Sequence, residues 1–236
     1  MSFQISLNSN KSTIHRDYQP EIRLKGPYEV GLKSFVTYNS IPNISKTLKN
    51  NIFAVRDHTT STRISLEIED GAYELQDIIN VILSSTKFEG TGLKIFLNKN
   101  TLKMGVFCQK RSIDFTVKNS IGSVLGFSNT RIVVQNTVEY SDLPINIFSI
   151  NTVRIKCNLI KCNIDDKKLH DNTLYDFPLN TNVGEKIIER PNNISYYTVN
   201  TEEIHVLFLN ITDQDNRLID FRGEKISITL AFRPVK

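Results

Sequence analysis

The sequence predicts a mainly β protein, a sandwich or barrel of short strands with a small α+β unit set into its middle. Three observations carry that reading. Apolar residues recur with a period of two in several separate segments. Alanine, the best helix former, stands only at positions 54, 72 and 231, which argues against a helical bundle. Isoleucine, threonine, valine, phenylalanine and tyrosine are plentiful, and these residues suit a pleated, half-buried surface. The chain has 236 residues. A chain of that size removes roughly 70–75% of its unfolded surface from water, so its core needs no disulfide or metal.

In chain order, the first clear strand is 28–38. It sets Tyr28, Val30, Leu32, Val36 and Tyr38 on one face, with Glu29, Lys33 and Thr37 opposite. Residues 62–68 alternate Ile64, Leu66 and Ile68 with Arg63, Ser65 and Glu67. Such alternation marks a strand with one face in a core. The pattern changes at 71–86. There Leu75, Ile78, Ile79, Ile82 and Leu83 fall at i, i+3, i+4, i+7 and i+8, the stripe of an amphipathic helix. Strands follow at 93–97, 102–108 and 112–117. Residues 120–127 read as one or two helical turns ended by Gly126 as a C-cap.

Further strands are expected near 131–139, 152–160, 174–179, 185–189, 194–199, 203–211 and 217–233. Within them Val153, Ile155, Cys157 and Leu159 alternate with Arg154, Lys156 and Asn158. Ile226, Ile228, Leu230 and Phe232 alternate with Ser227, Thr229 and Ala231. The expected organisation is a sandwich built from residues 1–59 and 131–236, with 60–130 inserted as a β-α-β-β-β-α unit. Greek-key and jelly-roll sandwiches accept such insertions, because their long connections run over the surface.

The formal net charge is +4. Residues 1–50 hold seven basic side chains against three acidic, and the rest of the chain balances at 22 of each. The basic residues are scattered among apolar ones rather than gathered in the dense stripe of a nucleic-acid binder. We read them as a solvated strand face and expect no specific nucleic-acid partner. No apolar run approaches the ~20 residues of a membrane-spanning helix, and no membrane partner is expected. The opening Met1-Ser-Phe-Gln-Ile-Ser6 lacks the basic start and apolar stretch of a signal peptide. Three cysteines (Cys108, Cys157, Cys162) make a poor disulfide framework, which fits synthesis in a reducing compartment.

The chemical motifs of enzymes are missing from the sequence. There is no Gly-rich phosphate loop ending in Lys-Ser/Thr, no Gly-x-Gly-x-x-Gly and no Gly-x-Ser-x-Gly. His15, His58, His170 and His205 are far apart, and none has a histidine or cysteine at metal-ligand spacing. Cys157 points inward by alternation and reads as a small hydrophobe. Asp213, Asp215 and Glu224 match positions one, three and twelve of a calcium loop. However, Arg217 and Leu218 stand where that loop needs an oxygen ligand and a glycine. A polar turn between two strands is the simpler account. The carboxylate pairs Glu202–Glu203 and Asp165–Asp166 lie in expected loops, with nothing to separate an acid from a base. No catalytic, cofactor-binding or metal-ligating residue is assigned, no cofactor is expected, and the chain does not read as an enzyme.

Several stretches carry a family resemblance. One is Gly71-Ala-Tyr73 before the helix, followed by Ile113-Asp-Phe115 and Ser120-Ile-Gly-Ser-Val-Leu-Gly-Phe127. Another is Leu174-Tyr-Asp-Phe177, Gly184-Glu-Lys-Ile-Ile-Glu-Arg-Pro191 and Tyr196-Tyr-Thr-Val199. The last is the closing run from Ile211 through Phe221 to Leu230. Together they resemble the minor capsid (penton) protein of Polinton/Maverick elements and adintoviruses. That resemblance implies a jelly-roll β-sandwich forming homopentamers at the five-fold vertices of an icosahedral particle. Its neighbours would be trimers of a double jelly-roll major capsid protein. It also implies a virion location, with synthesis in the host cytoplasm and assembly there or in the nucleus.

A ring of five needs a pair of different patches that meet head to tail. The sequence offers two candidates, the N-terminal arm 1–20 and the loop 161–173. The arm begins with alternating Phe3, Ile5 and Leu7. It could add to a neighbour's sheet or lie in its own. Two rival functions keep the fold. A jelly-roll lectin or receptor-binding module would use a cluster such as Tyr196-Tyr197 beside Asn192-Asn193. A hydrolase would show titratable groups converging in one pocket.

Overall fold

The computed structural model describes residues 1–57, 60–147, 150–160, 163–164 and 170–235. The chain begins with strands β1 (Phe3–Ser9), β2 (Thr13–Arg23), β3 (Tyr28–Tyr38), β4 (Ile52–Arg56) and β5 (Arg63–Glu67). Helix α1 (Leu75–Leu83) and a 3-10 turn (Thr86–Phe88) follow. Next come β6 (Lys94–Asn98), β7 (Lys103–Phe107), β8 (Ser112–Asp114), α2 (Gly122–Leu125), β9 (Ile132–Val133) and β10 (Glu139–Tyr140). The last third holds β11 (Thr152–Cys157), β12 (Asn163–Ile164), β13 (His170–Asp171), β14 (Thr173–Pro178) and β15 (Lys186–Glu189). It closes with β16 (Tyr197–Thr198), β17 (Glu203–Thr212) and β18 (Ile226–Pro234).

Two compact units divide the chain. The first joins Met1–Ile41 to Ile150–Lys236, and the second is Pro42–Ser149. The first is a sandwich of two antiparallel sheets, ordered β1-β18-β3-β15 and β14-β11-β17-β2, with β16 extending the β15 position along β3. Counted as eight positions along the chain, the strands lie first-eighth-third-sixth in one sheet. In the other they lie fifth-fourth-seventh-second. This is jelly-roll winding.

The alternation expected on β11 and β18 is present. Val153, Ile155, Cys157 and Leu159 face inward and are at most 2% exposed, as are Ile226, Ile228, Leu230 and Phe232. They meet Leu207, Leu209 and Ile211 of β17 in one apolar core.

Strand β3 departs from its expected faces. Its register against β18 slips between Thr229 and Leu230, so one extra residue enters β3 near Lys33. A bulge reverses which residues point inward beyond it. Val30 and Leu32 stay inside, but Phe35 and Thr37 now replace Val36 and Tyr38. Phe35 is fully buried and lies 5.4 Å from the Phe177 ring and 6.3 Å from that of Phe221. Tyr38 points out and is 45% exposed.

The second unit has its own core, distinct from that of the sandwich. Its sheets run β5-β4-β8-β9 and β10-β7-β6. The boundaries differ from the expected 60 and 130. β4 pairs with β5 and β8, so it belongs to this unit. After residue 130, β9 and β10 return along β8 and β7. Asn136, at φ 60°, breaks the strand expected at 131–139.

Helix α1 is also shorter than 71–86. Gly71 is held in a bridge with Ile44, and the Asn43 side chain takes the Tyr73 amide at 2.9 Å. The helix starts only at Leu75, where Asp77 accepts the Glu74 amide at 3.2 Å in a capping box. Ile78, Ile79 and Ile82 are buried, whereas Leu83 is exposed. The strand expected at 217–233 is divided too. Positive φ at Arg222 and Gly223 makes a turn, leaving β18 to begin at Ile226.

Gly126 closes α2 at φ 82°, in the left-handed region, with its amide on the Gly122 carbonyl. A methyl group there would press into the backbone carbonyl of Leu143. Gly90 has a similar φ of 69° but open space around it. We expect Gly90→Ala to cost about 1–2 kcal/mol, the left-handed penalty alone. Gly126→Ala should cost clearly more, because backbone must move as well. Urea unfolding of the two variants, compared at equal m-value, checks this.

Candidate interaction surfaces

The structure scatters the titratable residues singled out in the sequence. Among the described residues no group of three or more His, Cys, Asp or Glu is placed to hold a metal. His15 lies 3.6 Å from Asp17 and His205 3.5 Å from Glu203, each on an exposed strand face of the sandwich. His58, Cys162 and the pair Asp165–Asp166 lie outside the described residues, as does the side chain of His170. Glu203 faces Arg23 at 3.4 Å.

The calcium-like run folds as a turn. The buried Asp213 carboxylate accepts the amides of Asp215 and Arg217, both at 2.9 Å, and the Arg217 guanidinium at 2.7 Å. One aspartate therefore caps its own turn, and its oxygens are occupied by this chain.

Cys157 and Cys108 are 0% and 1% exposed. Burial pushes the Cys157 thiol up to about 12, so at neutral pH it is the unreactive thiol. In the second unit, burial of Asp114 raises its pKa. Hydrogen bonds from the Thr116 hydroxyl and amide and the nearby Arg63 guanidinium outweigh this, and hold the carboxyl below its usual range. Arg63 donates to it at 2.7 Å.

In the cluster offered for a lectin or receptor-binding module, the two tyrosines are committed to packing while Asn192 and Asn193 are exposed. The Arg233 guanidinium sits 3.7 Å over the Tyr196 ring centroid while donating to Glu29 at 2.9 Å. Tyr197 packs against the sandwich core.

The N-terminal arm is not free. β1 pairs with β18 over its whole length, from Phe3↔Phe232 to Ser9↔Ile226. Phe3 stacks on Phe232 at 4.7 Å. The arm is thus an edge strand of its own sheet. Of the loop 161–173, residues 161–162 and 165–169 lie outside the described residues, and β12 and β13 pair between them.

What the surface does offer is sheet edges and exposed apolar side chains. The sandwich ends in four edge positions, β1 and β2 on one flank and β14 and β15 on the other. The β14/β15 flank is tied across by Tyr175, whose hydroxyl donates to Glu189 at 2.8 Å. Burial first, then that carboxylate, pushes the Tyr175 hydroxyl up to about 12, which keeps it a donor. Next to it, on the outer face of β3 and β15, Tyr38 and Ile188 are 45% and 55% exposed.

On the β1/β2 flank Phe3, Ile5, Tyr18 and Ile22 are only half-buried at the margin of the core. Burial raises the Tyr18 hydroxyl pKa against the opposing pull of Arg16. In the second unit the outer face of β10-β7-β6 carries Phe96 and Tyr140 edge to face at 6.0 Å, both registered opposite Gly105. Sequence reasoning missed Ile188 and Tyr38. Tyr38 was hidden by the β3 bulge, and Ile188 sits in a strand too short for alternation to show its outward face.

No family model matches the chain, and no curated protein matches it. Among solved structures it is similar to the mavirus penton protein, with 13% identity, 99% of each chain covered and a TM-score of 0.51. It is also similar to a chain of the Sputnik virophage structure, with 14% identity, 98% and 97% covered and a TM-score of 0.45. The first likeness covers the whole chain and establishes a shared fold.

Two outcomes follow from the buried groups. A peptide-resolved labelling experiment at pH 8 should leave Cys108 and Cys157 unmodified in the native protein and modify both after unfolding. Asp114→Asn should destabilise the protein in a pH-dependent way. A depressed carboxyl contributes stability that is fully present above its unfolded pKa, near 3.8, and is lost as pH falls through the lower folded value. The gap between wild type and variant should therefore be constant near neutrality and shrink below about pH 4, as read from thermal melts across that range.

Proposed function

We propose that this chain is a structural protein of a viral capsid, and within it the penton that forms homopentamers at five-fold vertices. The single observation that carries the reading is the fold shared with the mavirus penton protein along 99% of both chains. The surfaces of the sandwich support it. The described residues that carry titratable groups are spread over strand faces and turns, while the sandwich presents open edges and outward apolar side chains. A protein of that kind works by contact between folded copies.

In this reading the partners are four further copies of the chain and trimers of a double jelly-roll major capsid protein, and the location is the virion. The resemblance of the motifs quoted above supports a source among Polinton/Maverick elements and adintoviruses. Its role requires neither a cofactor nor a reaction. A five-fold ring demands two different patches on each copy. Each contact must bury on the order of 1,000 Å² to persist in solution.

Native mass spectrometry of the purified protein tests this. The expected species has five times the 27.0 kDa chain mass, and negative-stain images should show rings of five. A protein that stays monomeric at high concentration and binds glycans would overturn the proposal in favour of a receptor-binding module.

A further inference from the structure

We propose that the outer face of the sheet β10-β7-β6 in the second unit is a docking site for single-stranded DNA. Ring stacking and lysines hold the strand without regard to its sequence. This does not rest on the pentamer reading.

The face is built by alternation. Ile95, Leu97, Met104 and Val106 point into the core of the unit. Lys94, Phe96 and Asn98 of β6, with Lys103, Gly105 and Phe107 of β7, therefore point away from it. Tyr140 of β10 joins them, registered opposite Gly105. The outward face of an antiparallel sheet is ordinarily polar. Here three of its side chains are aromatic, and Phe96 and Tyr140 remain 38% and 46% exposed.

Gly105 sets the geometry of the rings. Cδ2, Cε2 and Cζ of Phe96 all crowd the point where a Gly105 Cβ would stand. The Phe96 ring thus lies flat on the backbone of β7, with its other face turned to solvent. Tyr140 stands across it, with ring centroids 6.0 Å apart and planes at 89°. A floor and a wall at right angles receive a flat ring, which stacks on Phe96 and meets Tyr140 at its edge. A nucleobase has that shape, and every base has a face to stack.

The charges select the same occupant. Lys94 and Lys103 flank the rings, and Lys99 stands in the turn between β6 and β7. Among the described residues none of these three has a carboxylate within ion-pair distance. Glu139 and Asp142, the carboxylates of β10 and the turn after it, are both spent on Arg131. The Lys94 ammonium lies 5.9 Å from the Phe107 ring centroid, an exposed contact that leaves it open to a phosphate. Rings for bases with free cations beside them for phosphates is how proteins hold single strands of any sequence. A duplex keeps its base faces inside its own stack and cannot use Phe96. The Asn98 carboxamide oxygen already accepts the amides of Asn100 and Thr101, so it does not read a ribose hydroxyl, and DNA forfeits nothing there.

Fluorescence anisotropy of labelled oligo(dT), about 20 nucleotides long to cover the site, tests this on the full chain. Circular dichroism confirms that each variant is folded. Wild type should bind oligo(dT) at low salt, and more tightly than a duplex of the same length. Phe96→Leu keeps an apolar cover on Gly105 but removes the stacking ring. It should weaken oligo(dT) binding at least about fivefold and leave heparin, a polyanion without bases, unaffected. Lys94→Gln and Lys103→Gln should each flatten the dependence of log affinity on log salt by about 0.7. No binding at low salt overturns the inference. So does a duplex bound as tightly as the single strand, or a folded Phe96→Leu that binds oligo(dT) like wild type or loses heparin equally, since the face is then only a basic patch. Oligo(rU) bound more than about tenfold tighter than oligo(dT) overturns the assignment to DNA. If Phe96→Leu changes the mass of the native assembly and not DNA binding, the face is covered by protein and the inference fails. None of these failures touches the capsid reading.

Discussion

The sandwich depends on burying two apolar sheet faces against each other. Every inward residue of β11, β17 and β18 is committed to that one seam. Phe35 lies near Phe177 and Phe221 within it. Burial of each such side chain contributes roughly 1.5–3 kcal/mol relative to exposure. Two faces packed in this way leave four edges and two outer faces unsatisfied. Those leftovers are what the sandwich can present to others.

The bulge in β3 shows how the seam shapes the outside. One extra residue near Lys33 turns Phe35 inward and Tyr38 outward. Thr37 is also turned in, and its hydroxyl finds no hydrogen-bond partner among the described residues, a cost that apolar packing around it must offset. The same irregularity thus strengthens the core at Phe35 and puts an aromatic ring on the surface beside Ile188. The second unit holds together by separate means, with α1 and two small sheets around Phe53, Phe88 and Phe115. Because that core closes on itself, the unit can occupy the connection between β3 and β11 without contributing to the sandwich seam.

Strands that run without interruption were legible in the sequence. The alternation within β11 and β18 read correctly because no bulge reverses the faces of the residues quoted, although the strand expected from 217 is interrupted at Arg222 and Gly223. The stripe of α1 was legible for the same reason, although its start was not. Gly71 and Tyr73 are held by Ile44 and Asn43, about thirty residues earlier in the chain, and a local pattern carries no information about such partners. The unit boundaries were missed on similar grounds, since β4 declares its sheet only by pairing with β8. The interaction surface was the least legible part. That Phe3, Ile5 and Leu7 form a strand could be read from alternation. That the strand is an edge, paired on one side only, follows from β18 lying between it and β3.

Edge chemistry decides how the sandwich meets its surroundings. A seven-residue uncharged edge is a hazard for a protein that must remain alone, because its unpaired backbone groups invite any extended chain. β2, by contrast, carries charges and Pro20. The outward positions Gln4, Ser6 and Asn8 are exposed, and a charge there would disturb no core contact. Its absence is therefore not forced by packing within one copy. β1 carries no charge of its own, and the cations that lie on it, Lys33 on the Gln4 side chain at 3.0 Å and Arg16 on the Asn8 carbonyl at 2.6 Å, reach it from neighbouring strands.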